Sequence, residues 1–99
     1  MIVVVAQMDI VAGREQDFAA AAQAVVKETL ANEPDCQLYA CSRDLTEPSR
    51  FVFVEQWTDN AALRAHTKTE HFRTFGAQTK ELIAGQVVKI HTVESTQTL

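Results

Sequence analysis

Four segments of the chain alternate apolar and polar side chains with the period of two that is typical of β-strands. They cover residues 1–10, 36–43, 51–57 and 86–94. In the first and third of these segments, both faces of the predicted strand carry apolar side chains. A strand that is apolar on both faces is expected to lie inside a sheet rather than at its edge.

Between the strands, apolar side chains recur at the three- and four-residue spacing of amphipathic helices. A long helix is expected after Gly13 and before Pro34. Its apolar stripe comprises Phe18, Ala22, Val25, Val26, Thr29 and Leu30. A short helix over residues 61–66 follows the capping candidates Thr58, Asp59 and Asn60. Thr69 is expected to cap a third helix with Phe72, Phe75, Thr79, Leu82 and Ile83 on its inner side and Gly85 at its C-terminus.

The predicted order is β-α-β-β-α-α-β. This order matches the ferredoxin-like pattern, an α+β fold in which helices cover one face of a four-stranded antiparallel sheet and the first and third strands are central. A length of 99 residues predicts one domain over residues 1–99. The face of the sheet that the helices do not cover also carries large apolar side chains. We therefore expect a homodimer in which two sheets pack face to face.

The charge balance excludes some classes of function. Nine basic and thirteen acidic residues give a net charge of −4, which argues against a nucleic-acid-binding module. No segment has the roughly 18–20 consecutive apolar residues of a membrane span, and the N-terminus lacks the features of a signal peptide. Cys36 and Cys41 are separated by an odd number of positions, so they are expected on opposite faces of their strand as unpaired thiols. These features predict a cytoplasmic protein.

Glu55 is a first candidate for chemistry, because it lies between Phe53 and Trp57 on one face of the third strand. A carboxylate among aromatic side chains is desolvated, which raises its pKa and suits it to proton transfer. The alternative is that Glu55 pairs with a nearby histidine, arginine or lysine and only joins the strand to a helix.

His66 and His71 flank the turn between the two shorter helices. The helix dipole favours the charged form of His66 at a C-terminus and the neutral form of His71 at an N-terminus, so the pair is a candidate acid and base. The alternative is that each histidine binds a backbone group and shapes the turn. No metal is expected, because their spacing is not that of a helical metal motif and no cysteine or carboxylate is evident nearby. Phosphate-binding glycine loops and serine nucleophile elbows are also absent.

Five aromatic residues are candidates for an apolar slot that holds a flat aromatic ligand. They are Tyr39, Phe53, Trp57, Phe72 and Phe75. The alternative for most of them is that they fill the hydrophobic core.

Residues 54–72, V-E-Q-W-T-D-N-A-A-L-R-A-H-T-K-T-E-H-F, resemble the signature of the antibiotic biosynthesis monooxygenase family. The matching features are Glu55-x-Trp57 at the end of a strand, Ala65-His66 at the end of a short helix, and His71-Phe72 at the start of the next helix. The resemblance covers roughly residues 1–94, and within the family the chain looks most like the small bacterial quinol monooxygenases.

This resemblance implies a dimeric α+β barrel with a cavity between sheet and helices in each protomer. It implies oxidation of a small aromatic quinol or phenol by dioxygen, without metal, flavin or another cofactor. His66 or Glu55 would then act as the base, His71 and Tyr39 would orient the ring, and Trp57 would form a wall of the slot.

The chain also departs from parts of the family. The first strand has no asparagine of the kind on which some members depend, and Phe75-Gly76 stands where the haem-degrading branch has an iron-binding histidine. Two alternatives remain open: an isomerase of a small phosphorylated metabolite that uses the same histidines, and a non-catalytic ligand-binding domain. The isomerase needs a phosphate site, for which the candidate residues are Arg43, Arg50, Arg64, Lys68 and Arg73.

Overall fold

The computed structural model describes residues 1–99 and contains one four-stranded antiparallel sheet with three helices. The strands are β1 (Ile2–Ile10), β2 (Cys36–Arg43), β3 (Arg50–Trp57) and β4 (Ile83–Thr92), and the helices are α1 (Glu15–Asn32), α2 (Asn60–His66) and α3 (Glu70–Thr79). The strand order in the sheet is β2-β3-β1-β4. The ferredoxin-like α+β prediction is confirmed, including the central positions of the first and third strands.

The core lies between the helices and one face of the sheet. The alternation along β1 and β3 accounts for most of their eight buried side chains, which are Ile2, Val4, Ala6, Ile10, Phe51, Phe53, Glu55 and Trp57. Phe18 of α1 is fully buried and contacts Phe51, with ring centroids 4.9 Å apart, and Phe75 of α3, with centroids 5.8 Å apart. Burial of each such side chain contributes roughly 1.5–3 kcal/mol, so this layer attaches α1 and α3 to the sheet.

Side-chain caps fix the start of both short helices. The Asp59 carboxylate accepts a hydrogen bond from the Ala62 amide at the start of α2, and the Thr69 hydroxyl accepts one from the Phe72 amide at the start of α3. Both caps were predicted, and together they set the turn in which His66 and His71 face each other. None of the three helices combines the length and the apolar character needed to cross a bilayer.

The second face of the sheet is uncovered. Val3 and Val5 of β1 and Val52 and Val54 of β3 lie on it, all partly exposed, and Val5 is directly opposite Val54. The predicted apolar surface on this face is therefore present in the single chain.

Two details of the helix predictions are wrong. Helix α3 ends at Thr79, and Gly85 lies inside β4 instead of capping the helix, because residues from Ile83 onward pair with β1. Hydrogen bonding to this central strand outweighs the helical spacing of Leu82 and Ile83. In α1, Leu30 is 54% exposed, because Thr29 already occupies the buried direction in that turn and the next residue points about 100° away.

The expected placement of the cysteines on opposite faces is also wrong. A register shift between Cys36 and Leu38 puts Cys36 opposite Trp57 and Cys41 opposite Phe53, two positions on the same face of β3. The irregularity adds one unpaired residue to β2, so the side chains after it point to the opposite face from the one that regular alternation predicts. Both thiols are free, and burial raises the pKa of each to about 11, so neither is an activated nucleophile.

Candidate active site

A cavity of about 450 Å³ lies between the sheet and helices α2 and α3. Buried Val4, Ala6 and Phe53 lie on the sheet side of the cavity, while exposed Val88 and Ile90 of edge strand β4 mark its open side. Ten of the fifteen lining residues are hydrophobic, so the cavity favours an apolar ligand. The lining residues are Val4, Ala6, Met8, Tyr39, Phe53, Glu55, Leu63, Arg64, His66, Thr67, Phe72, Phe75, Gln86, Val88 and Ile90.

The cavity contains six of the eight residues that the sequence singled out. Two of these, Glu55 and His66, are candidate proton-transfer groups, and the other four are aromatic: Tyr39, Phe53, Phe72 and Phe75. Trp57 and His71 do not line it. Glu55 and Tyr39 are directly opposite each other on β3 and β2, so two polar groups of the sheet line the cavity at neighbouring positions.

Trp57 does not line the cavity; it packs behind the site and contacts His66 and Glu55. It is fully buried, and its ring centroid lies 4.6 Å from that of His66. Its indole N–H donates a hydrogen bond of 2.9 Å to Oε1 of Glu55. Trp57 therefore holds both candidate groups without facing the cavity.

Glu55 is a buried carboxyl group without a charged partner. It is 7% exposed, and its one protein hydrogen bond comes from Trp57. Burial raises the pKa of Glu55 to about 7, and the Trp57 hydrogen bond partly opposes this rise. The ion pair that was the alternative for Glu55 is absent, and the carboxyl group can take up or release a proton near neutral pH.

The raised pKa predicts that Glu55 destabilises the fold at alkaline pH. The folded protein binds this proton more tightly than the unfolded chain, so the stability that it contributes is present below about pH 4.5 and is lost as the pH rises through about 7. We expect Glu55→Gln to raise the free energy of unfolding by about 2–3 kcal/mol at pH 8.5 and to change it little at pH 4.5.

Urea unfolding of both proteins at the two pH values measures this effect. Glu28→Gln, which removes an exposed carboxylate of α1, is the matched control and should show no such pH dependence. Equal stabilisation by Glu55→Gln at both pH values would contradict the raised pKa.

His66 has both ring nitrogens engaged within the protein. It is 1% exposed, its Nε2 lies 3.2 Å from the Tyr39 hydroxyl, and its Nδ1 lies 2.7 Å from Oε2 of Glu33. Burial lowers the pKa of His66, although the hydrogen bond to Glu33 acts in the opposite direction. The helix dipole predicted a preference for the charged form; desolvation outweighs that effect, because the ring is inside the core and not at an exposed helix end.

Glu33 is a functional candidate that the sequence pattern did not indicate. It is the C-cap of α1, and its Oε2 is 2.7 Å from Nδ1 of His66 and 2.7 Å from Nε2 of His71. A negative side chain at a helix C-terminus is unfavourable unless it has donors nearby. A glutamate at this unfavourable position, directly before the helix-ending Pro34, is the one feature of the sequence from which Glu33 could have been identified.

Glu33, His66 and His71 are the residues that could hold a metal ion. Their ligand atoms all lie within 4.8 Å of one another. Two imidazoles and a carboxylate suit Zn²⁺ and related ions. The expectation that no carboxylate completes the histidine pair is therefore wrong, because the end of α1 is brought against the turn between α2 and α3.

Of the five cations considered for a phosphate site, only Arg64 lines the cavity. Arg50 instead pairs with Asp9 at 2.8 Å, and the Arg43 side chain donates to the Pro48 carbonyl. The cavity therefore presents one guanidinium group at its rim and no cluster of cations.

Comparison with known proteins identifies relatives of this chain. The family model described as "Antibiotic biosynthesis monooxygenase" matches residues 1–78. A Bacillus subtilis relative named "Putative monooxygenase YcnE" is 33% identical over 92 residues, which are 93% of this chain and 96% of the relative.

Solved structures share the fold. A Caulobacter crescentus protein described as a "putative antibiotic biosynthesis monooxygenase" superimposes with a TM-score of 0.88 at 26% identity, over 97% of this chain and 90% of its own. A Nitrosomonas europaea protein of the same description gives a TM-score of 0.90 at 19% identity, over 96% of this chain and all of its own, and shows likeness of fold alone. With the family model matching more than three quarters of its length, the chain belongs to the antibiotic biosynthesis monooxygenase family.

Proposed function

We propose that this protein oxidises a small aromatic quinol or phenol with dioxygen and without a cofactor. The observation that carries the proposal is Glu55, a buried carboxyl group with a pKa of about 7 in a mostly hydrophobic cavity of about 450 Å³. Members and relatives described as monooxygenases support the reaction class. The proposed substrate class is inferred from the aromatic side chains that line this cavity and from Glu55 as a general base.

The walls fit a flat ring. Tyr39 and Phe53 on the sheet side are edge to face, with ring centroids 5.7 Å apart, and Phe53 and Phe75 are 5.6 Å apart with the same geometry. Phe72 lies beside them on α3. Aromatic faces and edges pack well against an aromatic ligand, and ligand cavities of this size are usual for small molecules.

Glu55 supplies the base that such a reaction needs. A phenolate gives up electrons to dioxygen far more readily than a phenol, so removing the hydroxyl proton activates the substrate. Because the pKa of Glu55 is about 7, a large share of its carboxyl groups is ionised at neutral pH and can accept this proton. For a hydroquinone, one oxygen atom of O₂ enters a ring carbon and the other leaves as water, which gives a hydroxyquinone. The substrate supplies all four electrons, and both abstracted protons leave in the water.

The cavity argues against the two alternatives. A phosphorylated metabolite would need several cations or backbone donors, and Arg64 is the single cation at the cavity. A non-catalytic ligand-binding domain could use the same open cavity, but it would have no need of a buried carboxyl group whose pKa lies near neutrality.

We also propose that the working unit is a homodimer. The uncovered face of the sheet carries Val3, Val5, Val52 and Val54 on its two central strands, and all four are partly exposed. A second copy of the same face is the simplest cover for this surface, because a two-fold axis places equivalent residues against each other.

We place the protein in the cytoplasm. Cys36 and Cys41 are both free thiols, and free thiols are typical of proteins in a reducing compartment. Localisation of a tagged chain by cell fractionation tests this placement.

The function is tested with an oxygen electrode and a panel of hydroquinones, catechols and monophenols. We expect oxygen uptake with at least one substrate, no turnover under anaerobic conditions, and one labelled oxygen atom in the product when ¹⁸O₂ is supplied. Dialysis against a chelator is expected to leave the rate unchanged. Turnover of a substrate at the same rate without oxygen would support the isomerase instead.

A further inference from the structure

A chain of hydrogen bonds leads from the cavity to the end of α1. The Tyr39 hydroxyl is 3.2 Å from Nε2 of His66, and Nδ1 of His66 is 2.7 Å from Oε2 of Glu33. His71 contacts the same oxygen of Glu33 at 2.7 Å. Four elements (α1, β2, α2 and α3) thus each contribute one side chain to a connected network.

The donors and acceptors in this chain can be assigned from the chemistry of its groups. An ionised carboxylate only accepts hydrogen bonds, so Nδ1 of His66 carries a proton and donates to Glu33. Burial lowers the pKa of His66, which makes the ring neutral, and its Nε2 is then an acceptor. The Tyr39 hydroxyl therefore donates to His66, since burial also raises its pKa and keeps it protonated. The Tyr39 oxygen lies beside the Thr29 hydroxyl and, since Tyr39 lines the cavity, it can accept a further hydrogen bond from a ligand.

The proposed reaction needs more than one proton acceptor. Oxidation of a quinol removes the protons of two hydroxyl groups, and Glu55 accounts for one of them. Among the other residues that line the cavity, His66 is the one imidazole and the Tyr39 hydroxyl is hydrogen-bonded to it, so this pair can take up a proton that amide, guanidinium, aliphatic hydroxyl and apolar groups do not accept. His66 can reach a ligand proton only through Tyr39, because both of its nitrogens are engaged.

We propose that Tyr39, His66 and Glu33 form the second proton acceptor of the site, with Tyr39 as the residue that touches substrate and Glu33 as a positioning residue. The inference rests on the proposed function. A substrate hydroxyl gives its proton to the Tyr39 oxygen while the Tyr39 proton moves to Nε2 of His66. The resulting imidazolium is neutralised by the Glu33 carboxylate, and the proton later returns to the oxygen that leaves as water. Serine hydrolases use a histidine and a carboxylate in the same way.

Glu33→Gln tests the charge of the carboxylate separately from its hydrogen bonds. The amide oxygen of glutamine still accepts from both histidines, but the negative charge that raises the pKa of His66 is lost. We expect kcat to fall about 10- to 100-fold with KM changed less than about threefold. The pKa of His66, followed by NMR, should fall as well. Glu28→Gln on the same helix is the control and should alter neither quantity.

A double mutant shows whether Glu33 acts through Tyr39. Tyr39→Phe removes the path from the cavity to His66, so adding Glu33→Gln to Tyr39→Phe is expected to slow turnover no further. A purely structural Glu33 would instead reduce the rate by a similar factor in both backgrounds.

One measurement keeps the relay distinct from the proposed function. In the unliganded wild-type protein, ¹⁵N NMR should show the His66 proton on Nδ1, whether or not any quinol is turned over. A proton on Nε2 would overturn the relay and leave the monooxygenase proposal standing. Absence of turnover with the whole substrate panel, together with a proton on Nδ1, would overturn the function and retain the geometry. Full kcat in Glu33→Gln would also overturn the relay.

Discussion

Replacing Glu55 by glutamine is expected to slow quinol oxidation at least about 100-fold, since a positioned general base typically contributes 10²- to 10⁴-fold. Glutamine has nearly the same shape and its Oε1 can still accept the Trp57 indole N–H, so the cavity and its walls should persist. The change removes the cavity carboxyl group whose pKa is about 7 and leaves the aromatic slot in place. Steady-state oxygen uptake with the best substrate measures the loss.

The pH dependence of the wild-type enzyme tests the same role. With Glu55 as base, kcat/KM should fall about tenfold per pH unit below about pH 7, because only the ionised carboxylate accepts a proton. Trp57→Phe is the informative companion variant. The Trp57 hydrogen bond lowers the pKa of Glu55, so its loss should move the acidic limb to higher pH.

Three outcomes would remove Glu55 from the mechanism. They are a Glu55→Gln rate within about threefold of wild type, a pH profile that stays flat through neutrality, and an acidic limb that persists in Glu55→Gln. Thermal unfolding of both variants checks that any loss of rate is not a loss of fold, which is necessary for Trp57→Phe because Trp57 is fully buried.

Introducing a charge on the uncovered sheet face is expected to abolish the proposed dimer. Val54 lies between Val5 of β1 and Ala40 of β2, near the middle of the apolar surface. In a two-fold interface, Val54→Asp places one unpaired carboxylate on each side. Each buried, uncompensated charge costs several kcal/mol, so the dissociation constant should rise at least about 1000-fold. Analytical ultracentrifugation at micromolar concentration measures the change.

Gln23→Glu is the matched control for this experiment. It adds the same charge at an exposed position of α1, which packs on the opposite face of the sheet, and should leave the dimer intact. A wild-type protein that sediments as a monomer, or a Val54→Asp protein that remains a dimer, would contradict the proposed interface.

The architecture was largely readable from the order of the residues. Alternation along β1 and β3 predicted both their central positions and the identity of their two faces, because side chains in a strand point to opposite sides with a period of two. The caps Asp59 and Thr69 predicted where α2 and α3 begin, because capping is a contact between near neighbours. The predictions failed for Cys36 and Gly85, where an irregular register and pairing with a distant strand overrode the local pattern.

By itself, the sequence determined the sheet, the two faces of β1 and β3 and the desolvated position of Glu55 between two aromatic side chains, because these depend on spacing along the chain. Only the tertiary structure decided what surrounds that group. It places Glu33, at the end of α1, against His66 and His71, which are 33 and 38 residues away in the chain. It also places Trp57 behind the cavity, where the sequence had predicted it to line the slot. Hydrogen-bond partners and desolvation depend on distances in space between separate elements, and no local pattern encodes those distances.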